Sequence, residues 1–333
     1  MNHFEPSQAG GRDLRCAMDG ALWSSVIDLL GGAEQAASAA WHATPLDYAA
    51  YSDLALTVPG WQNFSGEMRD EAESHLQRRL AELRDRGAEK PVSRPRIRTL
   101  SDSEYSPLQL QRLGRWFAVE EANTIGLAPA DDAELERVRK ATMRALDYME
   151  EADPELFGET LAVIDEIIVV RQDGTERFMF SGGSSFAVWG AILANEALLP
   201  DWSEIYNTLA HEEGHLLLFA IARDEPLVLN PNDAAFASPV RDDPRPMDGI
   251  YHTAFVVARE ARALARLLAW HDETGAFSPA DEALVAEKLE ASVIAFWQSV
   301  EALDKDAVLS DLGRSILDEC RDYMARNFEL VTQ

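Results

Sequence analysis

Residues 207–222, NTLAHEEGHLLLFAIA, contain two histidines four positions apart, with a glutamate directly after the first. On an α-helix, positions four apart lie one turn apart on nearly the same face. The imidazoles of His211 and His215 can therefore point at one ion, while Glu212 lies roughly 100° round the helix. The flanking apolar residues indicate a buried helix, in which two histidines need polar partners. This HExxH pattern predicts a metal site rather than two ordinary core histidines.

A catalytic metal site usually takes a third protein ligand and keeps open positions. His252 is one candidate, because it lies near the start of the next predicted helix. Glu260, two turns further along that helix, is the other, and it would complete a set of two histidines and one carboxylate. Each also has a simpler interpretation, His252 as a core histidine and Glu260 as a solvated acid. The residues alone leave the third ligand open between them.

Arginines surround the candidate third histidine. Arg241 and Arg245 lie in the preceding segment RDDPRP, and Arg259 follows within the same helix. The planar guanidinium group binds a carboxylate through two hydrogen bonds, so an arginine near a metal suits a carboxylate-bearing substrate or cosubstrate. Ion pairs with Asp242 and Asp243 are the alternative for the two loop arginines.

The rest of the chain has mainly helical patterns, with apolar residues at helical spacing between turn and capping signals. Ser65 and Ser278 are predicted to cap two of these helices, and Pro279 to occupy the first position of the second. The predicted helices cover residues 21–30, 65–86, 131–151, 202–223, 249–272, 279–303 and 310–327.

Strand signals are concentrated just before the motif. Residues 162–170, AVIDEIIVV, are apolar and β-branched, and after the turn RQDGTE the segment 177–183 is predicted to complete a hairpin. Residues 184–195 predict a third strand, and the proline-rich segment 90–107 predicts a connection or an edge strand. We therefore expect a mainly α (α+β) fold, with a small antiparallel sheet preceding a zincin-like HExxH helix.

The predicted organisation is an N-terminal helical region over residues 1–130 and a metal-binding catalytic region over residues 131–333, which can also form one compact unit.

The 30 basic and 58 acidic residues give a net charge of −28. Such a surface repels nucleic acid and anionic membranes and attracts basic partners. No apolar run reaches the roughly 20 residues of a membrane span. Two distant cysteines and the absence of a signal-peptide pattern at the start favour a cytoplasmic location, and oligomeric state is left open.

The segment HEEGHLLL, followed by DDPRPMDGIYHTAFVVAR, resembles the HExxH-motif peptide-modification proteins of ribosomal natural-product pathways. That family is understood as iron(II)- and 2-oxoglutarate-dependent peptide β-hydroxylases. The resemblance covers roughly residues 160–270 and depends on the motif helix and on an RP-x₂-G-x₂-H-like stretch. In this chain that stretch consists of Arg245, Pro246, Gly249 and His252.

The resemblance implies that His211, His215 and His252 hold Fe(II). It implies that Arg245 or Arg259 binds the distal carboxylate of 2-oxoglutarate, whose keto-acid end chelates the metal beside dioxygen. The expected reaction is hydroxylation of the β-carbon of a residue in a precursor peptide.

The oxygenase reaction needs no general base to activate water, so there Glu212 would orient a ligand or a metal-bound water. A zinc metallopeptidase is the alternative, with Glu212 as the general base on a zinc-bound water and Glu260 or His252 as the third ligand. A non-catalytic peptide-binding protein with a degenerate peptidase fold is a further alternative, and the intact HExxH motif argues against it.

Overall fold

The computed structural model describes residues 2–31, 41–56, 65–86, 94–118, 126–172, 180–240 and 243–328. These residues form ten α-helices and five strands, which confirms the prediction of a mainly α, α+β protein. The helices are α1 (Gln8–Leu29), α2 (Pro45–Ala55), α3 (Gly66–Arg86), α4 (Pro107–Phe117), α5 (Asp132–Ala152), α6 (Pro154–Val163), α7 (Trp202–Ile221), α8 (Met247–Thr274), α9 (Pro279–Asp306) and α10 (Asp311–Asn327). The strands are β1 (Arg96–Thr99), β2 (Leu127–Pro129), β3 (Glu166–Gln172), β4 (Gly182–Ser184) and β5 (Ala191–Asn195).

The sheet is mixed, so the prediction of an antiparallel sheet is wrong. Strands β1 and β5 run parallel to β3 on its two sides, whereas β2 pairs antiparallel with the end of β3 and β4 pairs antiparallel with β5. Residues 166–170 of β3 are all buried. The apolar run IIVV is typical of a central strand between two parallel neighbours. The run does not indicate which strands those neighbours are.

The predicted hairpin of residues 162–170 with 177–183 is also wrong. Residues 162 and 163 end α6, residues 177–179 lie outside the described residues, and β4 is separated from β3 by β5. Asn195, at the end of β5, holds the segment before β4: its backbone N–H donates to the Ser181 carbonyl at 2.9 Å and its side chain donates to the Phe180 carbonyl at 2.8 Å. The predicted third strand over 184–195 is broken by a short 3₁₀ helix at Phe186–Val188.

The boundaries of the seven predicted helices agree with the structure, with one large exception, whereas α2, α4 and α6 lie outside the predicted set. The Ser65 hydroxyl accepts from the backbone N–H of Met68 at 3.2 Å, and Ser278 forms a capping box with Asp281. The exception is α1, which begins 13 residues earlier than the predicted start at 21 (21 − 8). Its early turns carry Arg15 and Asp19, which form a buried ion pair at 2.9 Å. An i,i+4 pair is a local contact, but its burial depends on tertiary packing, which the apolar pattern of the helix does not record.

The chain divides into two compact units that alternate along the sequence. The motif unit consists of Met1–Gln8, Thr142–Thr160 and Trp202–Gln333, and the sheet unit consists of Ala9–Ala141 and Leu161–Asp201. All five strands belong to the sheet unit, and α7 to α10 belong to the motif unit. The division into regions 1–130 and 131–333 stays a prediction.

The core of the motif unit lies around α8. Ala254, Val256, Ala258 and Ala261 of this helix are fully buried, and Phe296 of α9 lies in the same apolar cluster. Helix α8 ends at Gly275, whose φ of +64° is the left-handed conformation that glycine adopts without strain. Across the described ranges, none of the helices has both the length and the apolar character that crossing a bilayer requires.

Candidate metal centre

His211 and His215 lie one turn apart on α7, as their spacing predicts. Their Nε2 atoms are 3.1 Å apart, and their ring planes cross at 66°. Two nitrogens that are each about 2.1 Å from one ion are separated by roughly 3.0 Å at a right angle and by about 3.4 Å at the tetrahedral angle. The observed separation lies in this range, so the pair fits two bonds to one divalent ion.

His252, near the start of α8, packs against the same pair. Its Nδ1 atom lies 3.0 Å from Nδ1 of His215, and the two rings are nearly parallel, at 19° with centroids 5.3 Å apart. Phe219, one turn beyond His215, contacts the His252 ring with centroids 5.3 Å apart. The structure therefore brings together all three histidines that the sequence singles out.

The three imidazoles do not yet converge on one point. His215 faces His211 through Nε2 and His252 through Nδ1, so the third ring contacts the opposite nitrogen of the central one. Within the described residues, no group of three or more histidine, cysteine, aspartate or glutamate side chains is arranged to hold a metal ion. A third bond to an ion shared by His211 and His215 therefore requires the His252 side chain to rotate.

Glu260 contacts His211 at the nitrogen that faces away from His215. Its Oε1 lies 2.6 Å from Nδ1 of His211, and Oε2 accepts a hydrogen bond from the Ser292 hydroxyl at 2.7 Å. The amide of Asn207 also donates to Oε1, at 3.4 Å. A carboxylate on one nitrogen of an imidazole fixes the ring and directs the lone pair of the other nitrogen outward, as in carboxylate–histidine–metal arrangements. This contact gives Glu260 an orienting role and leaves His252 as the stronger candidate for the third ligand.

The electrostatics differ among the three histidines. Burial disfavours protonation of His211, but the hydrogen bond and charge of Glu260, together with the charge of Glu212, raise its pKa to about 9. Burial lowers the pKa of His215 well below its usual value, and the positive charges of His211, His252 and Arg245 lower it further. Burial also lowers the pKa of His252. Neutral imidazole is the form that binds metals; burial favours it in all three rings, and the pKa is lowered overall in His215 and His252.

Glu212, the predicted catalytic residue, is only 3% exposed. It follows His211 directly on α7, and its negative charge contributes to the raised pKa of that histidine. The Glu212 carboxylate is therefore close enough to act on His211 electrostatically. This arrangement is compatible with an orienting carboxylate in an oxygenase and with a general base in a hydrolase.

The structure places the two predicted carboxylate-binding arginines in different surroundings. Arg259 is 2% exposed; its Nη2 donates to Glu213 at 2.9 Å and also contacts Glu159, and its Nη1 donates to the Phe4 carbonyl at 2.7 Å. The guanidinium group of Arg259 therefore forms buried ion pairs and does not bind a ligand. Arg259 follows His252 by seven residues and so lies on nearly the same face of the helix, but this spacing does not record where a long side chain ends.

Arg245 precedes α8 and acts electrostatically on His215. Its backbone exchanges two hydrogen bonds with Phe236, at 2.8 and 2.9 Å, just before α8 begins at Met247. Its Nε atom is 3.6 Å from a carboxylate oxygen of Asp243, and its positive charge contributes to the lowered pKa of His215. Arg245 is therefore the arginine positioned to attract an anionic ligand to this site. Arg241 lies outside the described residues.

Sequence reasoning missed two residues of this centre. Ser292 is a buried polar residue in an otherwise apolar turn of α9, and that contrast is the signal that could have identified it. Asn207 lies four residues, about one turn, before His211. It therefore has the same spacing from His211 as His215 has.

No protein-family model matches the chain, and the search of curated proteins likewise found no match. The proposals below therefore depend on the motif, on the resemblance stated above and on the geometry of the site.

Proposed function

We propose that this protein is an iron(II)- and 2-oxoglutarate-dependent oxygenase that hydroxylates the β-carbon of a residue in a ribosomally made peptide. The observation that carries the proposal is the cluster of three neighbouring imidazoles, His211, His215 and His252, with the positive charge of Arg245 acting on His215. Three protein ligands around one ion leave coordination positions for a chelating cosubstrate and dioxygen.

The fit of the residues to iron is good in three respects. The donors are imidazoles, which suit iron as well as zinc. The two Nε2 atoms of the motif histidines have the separation that one ion requires, at 3.1 Å. Glu260 holds the remote nitrogen of His211 at 2.6 Å, which is the contact that orients a metal-binding imidazole. His252 would provide the third bond after rotation of its side chain.

Bound iron(II), together with 2-oxoglutarate and dioxygen, would supply the oxidising power that converts an unactivated C–H bond into C–OH. The residues of the chain bind and orient. His211 and His215 hold the ion on the buried helix α7, Glu260 fixes the first of them, and Arg245 attracts the distal carboxylate of the cosubstrate. Phe219 adds an apolar surface next to His252 that limits the access of water.

The net charge of −28 supports a basic peptide as substrate, because an acidic surface raises the local concentration of cations. Nucleic acid and anionic membranes are correspondingly poor partners. We place the reaction in the cytoplasm, where peptides newly made by the ribosome are accessible.

A zinc metallopeptidase is the second candidate, and Glu212 is the observation that favours it. This buried carboxylate lies directly beside His211, where a hydrolase needs the general base for a zinc-bound water. The oxygenase remains our proposal because the resemblance extends to the stretch that contains Arg245, and a guanidinium group there suits the distal carboxylate of 2-oxoglutarate.

Mass spectrometry of candidate peptides separates the two functions. The purified chain is incubated with basic peptides, iron(II), ascorbate, 2-oxoglutarate and air, and in parallel with zinc alone. The oxygenase predicts a gain of about 16 Da, one added oxygen, in a reaction that forms succinate. Hydrolysis fragments in the zinc sample, without any consumption of 2-oxoglutarate by the iron form, would contradict it and support the peptidase.

A further inference from the structure

Helices α7 and α8 are in close contact beside the candidate metal ligands. Gly214, the residue before His215, lies against Val256, one turn after His252. A β-carbon at position 214 would lie 3.1 Å from Cγ1 of Val256, 3.5 Å from its Cβ and 3.6 Å from its Cα. Real β-carbons seldom come as close to another atom as the first of these distances, so the space beside Gly214 is filled by Val256 itself.

The contact has little freedom to adjust. Val256 is fully buried, and a β-branched side chain on a helix has one strongly preferred rotamer, so its methyl group cannot simply turn away. Its Cα, 3.6 Å away, is at an ordinary van der Waals distance and moves only with the helix, so the crowding is confined to the methyl group. A side chain at position 214 is therefore accommodated chiefly by a shift of α8 away from α7.

Such a shift acts directly on the histidines. His215 follows Gly214 on α7 and His252 precedes Val256 on α8, and their Nδ1 atoms are 3.0 Å apart. His252 reaches an ion on Nε2 of His215 only after its side chain rotates, so the spacing of the two helices sets where the rotated nitrogen lies. A displacement of a few tenths of an ångström, which relieves a 3.1 Å contact, exceeds the spread of about 0.2 Å expected for metal–ligand distances.

We infer that Gly214 is a positioning residue: the absence of its side chain sets the spacing of α7 and α8 at which His215 and His252 can bind the same divalent ion. This inference rests on the proposed function, because it concerns the metal that this function requires. It assigns a role to the glycine of HEEGH that the HExxH pattern leaves undefined.

Another helical glycine offers a matched control. A β-carbon on Gly20 of α1 would have no atom within 4 Å, so Gly20→Ala replaces a poor helix former without crowding a neighbour. Gly20→Ala should keep the metal affinity of the wild type. Gly214→Ala makes the same chemical change where the space is occupied, so a difference between the two variants isolates the contact with Val256.

The experiment is a double-mutant cycle on the full chain, with cobalt(II) as the probe. Wild type, Gly214→Ala, Val256→Ala, the double variant and Gly20→Ala are titrated with Co²⁺ against a chelator. The visible spectrum of bound Co²⁺ reports coordination number and geometry, and thermal unfolding without metal reports the fold. We expect Gly214→Ala to weaken binding by about tenfold or more and to change the spectrum. Val256→Ala, which removes the crowding methyls, should restore the double variant to within about threefold of Val256→Ala alone.

The outcomes separate this inference from the proposed function. Wild-type affinity and spectrum in Gly214→Ala would overturn the inference and leave the proposed function standing. If Gly214→Ala does not fold, the double variant decides: it should fold and bind Co²⁺, and failure to bind in a folded double variant would overturn the inference. A wild-type chain that binds no Co²⁺ or Fe²⁺ would contradict the proposed function and the inference together.

Discussion

Oε1 of Glu260 lies 2.6 Å from Nδ1 of His211, on the side of the ring opposite the nitrogen that faces His215. Ser292 holds the other carboxylate oxygen at 2.7 Å, so the carboxylate is itself fixed. This relationship links three helices, α7, α8 and α9, to the orientation of a single imidazole. The sequence made Glu260 a candidate ligand, whereas this contact makes it a residue that orients the His211 ring.

Glu260→Gln should weaken binding of Fe²⁺ by about 10- to 100-fold, because residues that hydrogen-bond a metal-binding histidine typically have effects of this size. Glutamine keeps one acceptor oxygen for Nδ1 of His211 but lacks the negative charge that raises the basicity of the imidazole. Competition with a chelator measures the affinity. Glu290→Gln, an exposed acid on α9, is the control and should leave the affinity unchanged. If the Glu260 variant binds as tightly as the wild type, the orienting role is wrong.

His252→Ala should remove most of the bound iron, because two histidines alone hold a divalent ion weakly. Metal content is measured by elemental analysis after removal of excess ion. His271→Ala changes a histidine at the far end of the same helix, where the ring stacks on Phe277 at 3.8 Å, and should keep full occupancy. Unchanged metal content in His252→Ala would favour Glu260 as the third ligand.

Glu212→Gln distinguishes the two candidate reactions. A general base is indispensable for hydrolysis by a metal-bound water, so the peptidase predicts a loss of turnover by at least about 100-fold. The oxygenase predicts partial activity, because there the carboxylate only orients. Peptide hydroxylation and peptide cleavage are measured on the same preparations. Complete loss of hydroxylation, with normal iron content, would contradict the orienting role of Glu212.

The two arginines should respond differently to substitution. Arg245→Gln should raise the KM for 2-oxoglutarate by at least about tenfold, since it removes a charged partner of a carboxylate, and should leave the fold intact. Arg259→Met should instead destabilise the protein by about 3–5 kcal/mol, because Glu159 and Glu213 would remain buried without their cation. Kinetics and urea unfolding of both variants test this. A raised KM in a stable Arg259→Met protein would restore Arg259 as a cofactor-binding residue.

Asp47 in the sheet unit should make stability depend on pH. Burial opposes its ionisation, but the hydrogen bond and charge of His75, with help from Arg79 and Thr44, hold its pKa below the usual 3.8. A lowered pKa contributes stability that is present above 3.8 and is lost as the pH falls below it. Asp47→Asn should therefore lower stability by about 1–3 kcal/mol at pH 7 and by progressively less in acid. Asp70→Asn, at an exposed position of α3, is the control; an equal loss at pH 7 and pH 3 would contradict the account.

The sequence predicted the helices that carry the site because their signals are local. Spacing alone put His211 and His215 on one face of α7, and Ser278 with Pro279 defined the start of α9. Strand pairing is not local: the run IIVV predicts a buried strand, but its partners β1 and β5 come from distant segments. The hairpin was expected because adjacent strands commonly pair, and here β5 lies between them.

The same distinction applies to the site. His252 could be identified as a candidate because it is a rare residue at the start of the next helix. The final contacts of Glu260 and Arg259 could not be predicted, since both follow His252 on α8 and only the packing of α6, α7 and α9 decides what each side chain meets. Glu260 contacts His211 and Ser292, whereas Arg259 contacts Glu159 and Glu213.

A crystal structure of the full chain loaded with iron(II) under anaerobic conditions, with 2-oxoglutarate present, would show whether three imidazoles bind one ion. We expect one ion bound by Nε2 of His211, Nε2 of His215 and a nitrogen of His252, with the distal carboxylate of the cosubstrate on Arg245. An ion bound by the two motif histidines and a carboxylate, with His252 remaining against Nδ1 of His215, would contradict it.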